Sequence, residues 1–375
     1  MSKRTSVMVA LSGGVDSAVA ALLLRDAGHD VQCLHMSNWE DDGYCESAQD
    51  YRDARAICDR LGLPLHRVSF AREYRERVFA EFLAELGAGR TPNPDVLCNR
   101  EIKFGALLAY ARRLGAARLA TGHYARLDRA GGETRLLKAR DQSKDQTYFL
   151  HAVRGRELAD AIFPLGEHTK SEVRALARGA GIAVADKKDS TGICFIGERP
   201  FQAFLQRYLP RAPGPILTPE GEPRGTHEGL AFYTLGQRHG LRLGGRKGRI
   251  AAPWYVAEKR SDDNALIVVQ GRDHPLLMQD RLHATDVRWI GAPPQWRSGG
   301  TLRCTAKTRY RQPDAACVAR PSGEWELEVT FDEPQRAVTP GQYVVLYDGE
   351  RCLGGATIAH AARGEAAAPL AVGAG

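Results

Sequence analysis

The pattern of hydrophobic and polar positions changes along the chain. Over the first 120 residues, apolar runs of strand length alternate with segments of helical period. Thr5–Leu11, Val31–Met36, Leu65–Ser69 and Arg118–Thr121 have the length and content of strands. Val15–Ala27 carries Val15, Val19, Leu22 and Leu23 on one helical face, and Ala48–Leu61 ends before Gly62. Arg72–Leu86 spaces Tyr74, Val78, Phe82 and Leu86 four apart, and Glu101–Leu114 is a further helix. This βαβα order predicts a parallel sheet covered on both faces. From about Leu217 the period shortens. Trp254–Ala257 and Leu266–Val269 flank a turn at Ser261–Asn264, and Gln342–Tyr347 and Leu353–Ile358 flank Asp348–Gly349. Trp325, Leu327, Val329 and Phe331 alternate with polar residues, as in a half-buried antiparallel strand. The expected fold is α/β: a doubly wound parallel domain over 1–205, a small central domain over 206–275 and an antiparallel β-barrel over 276–362. An Ala-rich, disordered tail is expected over 363–375.

Composition narrows the classes. The chain has 375 residues, 43% of them hydrophobic and 26% charged, so an extended core is expected and disorder throughout is excluded. No run of 18 apolar residues occurs, and the opening apolar run flows into glycines, which argues for a first strand and a cytoplasmic protein with no membrane partner. Lys and Arg number 52 against 45 Asp and Glu; the net charge of +7 permits a polyanion partner without requiring one. The eight cysteines contain no CxxC pair, so no local zinc or redox-pair spacing is present and no protein metal site is expected.

Candidate chemistry begins after the first strand. Ala10, Leu11, Ser12, Gly13, Gly14, Val15, Asp16 and Ser17 connect it to the first helix. Glycines let backbone N–H groups approach a charged ligand, and the helix N-terminus adds unpaired donors and positive potential. This makes an anion cradle at the carboxyl end of a strand, where open α/β sheets bind ligands. It is neither a Walker A loop nor GxGxxG. Ser12–Ser17 resembles the PP-loop of the N-type ATP pyrophosphatases. That resemblance implies ATP, Mg²⁺ to offset phosphate charge, Met36 near adenine and Gly122 lining the nucleotide pocket. It leaves open whether Asp16 holds metal or caps the loop.

Two distant cysteines stand in turn-like surroundings. Cys98 follows Thr91-Pro92-Asn93-Pro94-Asp95, where two prolines suggest a stiff extended connector. Asn99 is the expected N-cap of the next helix, so the positive helix end would favour a Cys98 thiolate. Cys194 lies among small turn residues after Lys187 and Lys188, whose ammonium groups would favour its thiolate.

The segments TPNPDVLCNREIKF, ATGHYAR, KDQTYFL, DSTGICFIGER and KTRYRQ resemble the bacterial tRNA-specific 2-thiouridylase family (MnmA type), over about Val9 to Val345. The resemblance implies an ATP-dependent tRNA-uridine 2-sulfurtransferase. Its substrate is a tRNA with a wobble uridine, and its sulfur comes from a donor protein or cysteine desulfurase relay. The 2-carbonyl oxygen is adenylated and Cys194 carries a persulfide, whose terminal sulfur either attacks the activated carbon or is first released as sulfide by Cys98; Asp95 orients the base or acts as acid/base. By the same resemblance, tRNA contacts fall on Asn93, Pro94, Asp95, His123, Lys144, Asp145, Gln146, Arg309, Tyr310 and Gln342. Charge and stacking make Lys144, Arg309, Tyr310 and His123 suitable, and Lys307, Arg309 and Arg311 are expected to share one face of a strand. Three rivals are weighed against this: an amidating PP-loop ligase, which does not need Cys98 and Cys194; a non-catalytic ATP/RNA-binding module; and an iron–sulfur thiolase, disfavoured by the missing CxxC.

Overall fold

A computed structural model describes residues 5–39, 46–188, 201–243, 252–293 and 300–363. Residues 364–375 of the expected tail and Cys194 lie outside the described residues. The first sheet is parallel. Its strands are β1 (Ser6–Ala10), β2 (Asp30–Ser37), β3 (Leu65–Ser69), β4 (Arg118–Ala120) and a later β7 (Ala161–Ile162), in the order β3-β2-β1-β4-β7. Helices α1 (Val15–Asp26) and α2 (Glu46–Leu61) pack with Val7, Val9 and Cys33 in one core. The helical segments between β3 and β4 pack with Met8 and Leu34 in another. Successive residues of a strand point to opposite faces, so β1 and β2 supply both cores and read as near-continuous apolar runs.

The helix expected over Arg72–Leu86 runs from 71 to 87 with a π-helical stretch at Arg75–Phe79. The next helix starts earlier than expected. Pro94–Leu97, Cys98–Leu107 (π-helical) and Leu108–Arg113 follow without a break. The N-cap is Asn93, whose side-chain oxygen accepts from Asp95 N at 3.2 Å, and not Asn99. Pro94 at the first helical position supplies the φ a helix needs, and its missing N–H would have had no partner there. The segment expected to be an extended connector is therefore a cap and a first turn.

Between these elements lies a hairpin that periodicity did not indicate, β5 (Arg126–Asp128) with β6 (Arg135–Leu137). The central segment forms a four-stranded sheet of β8 (Gly214–Leu217), β9 (Pro223–His227), β10 (Trp254–Arg260) and β11 (Ala265–Gln270), in the order β10-β11-β8-β9. The C-terminal strands are β12 (Met278–Trp289), β13 (Leu302–Lys307), β14 (Ala315–Gly323), β15 (Glu326–Arg336), β16 (Tyr343–Asp348) and β17 (Arg351–Ala362). They close into a six-stranded antiparallel barrel through β12–β17 pairing. Leu327, Val329 and Phe331 are buried in it as the alternation requires, whereas Trp325 is 59% exposed just before β15.

The hairpin β5–β6 extends the barrel sheet: Leu136 and Leu137 pair with Cys352 and Arg351. Behind this seam, buried Lys138 bonds Asp314 and donates to Gly349 O at 3.2 Å, while Lys307 approaches Asp314 at 3.5 Å. Both ammonium groups lie over the Tyr347 ring, at 4.4 and 5.5 Å from its centroid.

Two stability predictions follow from these contacts. Asp314→Ala leaves two buried ammonium groups facing each other and should cost about 2–3 kcal/mol in denaturant unfolding; no change would show the cluster to be slack. His151 is buried and donates from Nδ1 to Tyr148 O at 2.7 Å; burial pushes its pKa down to about 4, and burial holds His123 well below 6.5. The unfolded chain, with His near 6.5, binds more protons over that interval, so stability is full above pH 6.5 and falls towards pH 4. His151→Gln should flatten the decline, measured as the unfolding midpoint against pH.

Candidate active site

The strand order reverses between β1 and β4, and the loops leaving both strands face each other there. Gly13 has φ +83, and a Cβ would stand 2.3 Å from Asp50 O, so this position requires glycine. Gly14 has room for a Cβ, and its part is different: as N-cap of α1 it offers no side chain to the first-turn N–H groups. Those groups remain open to a ligand. Gly122, beyond β4, comes so close that a Cβ would lie 2.7 Å from Ser17 N. Ser17 Oγ accepts from Ser12 N at 3.2 Å and donates to Gly14 O at 3.1 Å, holding the loop closed. His35 Nδ1 donates to Leu11 O at 2.9 Å, and burial holds the ring below its ordinary pKa. Ala10 is the last residue of β1 and Met36 the next to last of β2, both partly buried.

Charge around this loop is balanced by partners that sequence periodicity did not indicate. Asp16 receives Lys170 Nζ at 2.7 and 2.8 Å and the Tyr124 hydroxyl at 2.8 Å. Its carboxylate is thus offset at the cradle, where an uncompensated negative charge would repel phosphate. Lys187 donates to Asp50 and Asp53 at 2.8 and 2.7 Å and to Gly13 O at 3.3 Å. Burial works against its charge, but the two carboxylates outweigh it and raise its pKa. Lys187 therefore braces the loop against α2. The open first turn, the exposed Ser12 and the offset Asp16 suit a chain of phosphates. Among the described residues, no group of three or more His, Cys, Asp or Glu could hold a metal ion.

The second half of the site is the helix that starts at Pro94. Asp95 is half-buried in its first turn, whereas Cys98 is fully buried beyond that turn. The field of a helix end fades within one turn, so it acts at Asp95 and does not reach Cys98, contrary to the expectation for that thiol. Asn38, just after β2, places Nδ2 3.9 Å from Cys98 Sγ. The thiol therefore belongs to the same sheet edge as the phosphate cradle. Asn38 is missing from the residues the motifs suggested; only its position after a strand end could have marked it.

The barrel reaches this helix at two points. Gln342 Nε2 donates to Thr91 O at 2.8 Å, and Thr91 N donates to Pro340 O at 2.9 Å. Tyr310 lies 4.4 Å from the Phe149 ring, and Phe149 O accepts from Asn99 Nδ2 at 3.0 Å. The segment at 144–146 divides its work. Lys144 is half-buried, Asp145 is buried and accepts from Ala139 N and Thr147 Oγ1, and Gln146 Oε1 accepts from Tyr124 N.

Two expectations change. Lys307, Arg309 and Arg311 do not share a strand face, because β13 ends at Lys307 and Gln312 Oε1 caps a turn by accepting from Thr308 N and Arg309 N. Lys307 is buried, Arg311 is exposed, and Arg309 turns inward to Leu235 O, Ala337 O and Thr339 Oγ1 at 2.6–3.0 Å. His123 is also buried. Its Nδ1 lies 2.7 Å from Thr121 Oγ1, and its ring packs near Phe104 and Phe163.

Comparison with known proteins agrees with this architecture. Residues 5–198 match the family described as tRNA methyl transferase HUP domain, 202–270 the tRNA methyl transferase PRC-barrel domain, and 279–358 the aminomethyltransferase beta-barrel domain. A tRNA-specific 2-thiouridylase MnmA of Burkholderia vietnamiensis is 54% identical, covering 99% of this chain and 98% of its own. One of Chromohalobacter salexigens is 56% identical, covering 94% and 92%. A solved U34-tRNA thiolase NcsA from Methanococcus maripaludis, with a [4Fe-4S] cluster, aligns at TM-score 0.34 and 19% identity over 55% of this chain and 67% of that one, too distant to carry an argument. With the HUP-domain match across the cradle and the Cys98 helix, and relatives aligned over nearly their whole length, this chain belongs to the tRNA-specific 2-thiouridylase family.

Proposed function

We propose that this protein catalyses ATP-dependent 2-thiolation of the wobble uridine of tRNA. The observation that carries the proposal is the meeting of an uncapped helix N-terminus and Cys98 at one sheet edge, in a chain more than half identical to relatives named for this activity. The phosphates of ATP bind Leu11–Ser17, with Ala10, Met36 and Gly122 bordering the nucleotide. Mg²⁺ would offset phosphate charge, carried mainly by phosphate oxygens and water, since the described residues form no cage for it. The target base is turned out of its stack, because its ring carbon must be exposed.

The uridine 2-oxygen attacks the α-phosphorus and pyrophosphate leaves, so a poor leaving group becomes AMP. Cys194 carries a persulfide from a donor protein or desulfurase relay. The Cys98 thiolate attacks the inner sulfur of that persulfide, forming the Cys98–Cys194 disulfide and releasing hydrosulfide. Hydrosulfide adds at carbon 2, and AMP departs with the original oxygen. A dithiol reductant restores both thiols. Asp95, half-buried at the helix start, orients the base or moves its proton. Tyr310 and Lys144, both partly exposed, are the proposed direct tRNA contacts. Asn93, Pro94 and Gln342 hold the start of the helix beside the bound tRNA, with Pro94 buried and Gln342 Nε2 and Asn93 Oδ1 bonded within the protein. Arg309, His123, Asp145 and Gln146 would likewise act by shaping the surface, since they bond internally.

Incubating the protein with ATP, a persulfide donor and unmodified tRNA should yield AMP, pyrophosphate and 2-thiouridine in equal amounts. Adenylation without sulfur incorporation would point to a ligase, and absence of pyrophosphate to a binding module. Cys98→Ser and Cys194→Ser should each abolish persulfide-driven thiolation while tRNA affinity stays largely intact; normal product from either would remove that thiol from the mechanism. Gly122→Ala places a methyl against Ser17 N and should weaken ATP binding by about tenfold or more, measured by calorimetry. Unchanged affinity would place the phosphates elsewhere.

A further inference from the structure

The loop joining the two long helices, residues 88–93, is gripped from three sides. From its own side, Arg90 N donates to Glu85 O and Gly89 N to Leu86 O, ending the first helix. From the barrel, Pro340 O and Gln342 Nε2 hold the two backbone polar groups of Thr91. Gly341 packs so tightly there that a Cβ would lie 2.8 Å from Thr91 N. From the central sheet, Lys259 on β10 donates through Nζ to Gly89 O at 3.0 Å and to Thr91 Oγ1 at 3.3 Å.

Lys259 is unusual for a lysine in a domain contact. Both of these acceptors are neutral, and burial pushes its pKa down to about 8. A surface lysine would be free to stay in water at no such cost. The position it holds matters because Thr91 stands two residues before Asn93, the cap of the helix carrying Asp95 and Cys98.

We infer that Lys259 is a positioning residue for the thiolation reaction, fixing the 89–93 loop and through it the start of the helix that presents Asp95 and Cys98. The inference rests on the proposed roles of that helix. It gives the central domain a part in the chemistry without contact to substrate. Misplacing reacting groups by about 1 Å can cost up to about a hundredfold in rate, so a modest shift of this loop is enough to register.

The test uses the full chain with ATP, tRNA and a persulfide donor. Lys259→Met keeps the side chain's length and removes its donors; it should lower kcat for thiolation by about tenfold while KM for ATP is unchanged. Hydrogen exchange should quicken within 88–97 and stay as before in β8, β9 and β11. Thr91→Val removes one acceptor and should reproduce both effects more weakly, and it carries the test if the lysine variant misfolds. Unchanged kcat and exchange, or exchange quickened evenly across the central sheet, would overturn the inference and leave Lys259 a general packing residue. Cys98→Ser and Asp95→Asn run alongside: if they retain full activity, the reading of the helix fails; if they are inactive while Lys259→Met is normal, only the present inference fails.

Discussion

The pairing of Leu136 and Leu137 with Cys352 and Arg351 joins the nucleotide-binding half to the barrel in one continuous sheet. Backbone pairing fixes both distance and direction, since neighbouring strands keep a spacing near 4.8 Å and a set register. The strand that accepts the hairpin, β17, also closes the barrel through β12. One strand therefore serves two constraints, and the barrel cannot swing freely about the first domain. The shared carboxylate of Asp314, between Lys138 and Lys307, seals the seam with charge. With this seam in place, Tyr310 packs on Phe149 and Gln342 bonds Thr91 beside the Cys98 helix.

Electrostatic balance explains how a cradle for polyphosphate coexists with several acidic side chains. Asp16, Asp50 and Asp53 would repel phosphate if left alone. Each is tied to a lysine from later in the chain, Lys170 or Lys187. Both lysines belong to the segment that follows the parallel sheet, so the loop takes its final form only when that segment has packed. Internal bonding also marks the neighbouring polar residues: Arg309 bonds Leu235 O, Ala337 O and Thr339 Oγ1, and Asp145 accepts from Ala139 N and Thr147 Oγ1, while Lys144 and Tyr310 are partly exposed.

Local structure was legible where alternation, glycine or turn residues mark a unit. The strand–loop–helix at Ser6–Asp26, the hairpin turn at Asp348–Gly349 and the inward set Leu327, Val329 and Phe331 follow from alternation, glycine and turn residues. The cap at Asn93 is also present in the sequence, as Asn-Pro-Asp, but Pro94 suits an extended connector and a first helical residue alike, and only the structure shows it in the second role. The hairpin β5–β6 and the turn at Thr308–Gln312 were hidden for another reason. Three-residue strands have too little period to detect, and the turn depends on the Gln312 side chain folding back onto its own backbone.

The sequence by itself determined the element order at the start of the chain, the anion cradle after β1 and the residue types available for sulfur chemistry, because these depend on contacts within a few residues. The tertiary structure decided which charges are neutralised, which candidate side chains face inward, and that Asn38, Lys259, Gln342 and Tyr310 converge on the segment around Cys98. Those outcomes depend on pairings across tens to hundreds of residues. They are selected by sheet register and by the cost of burying unpaired charge, neither of which leaves a periodic mark on the chain.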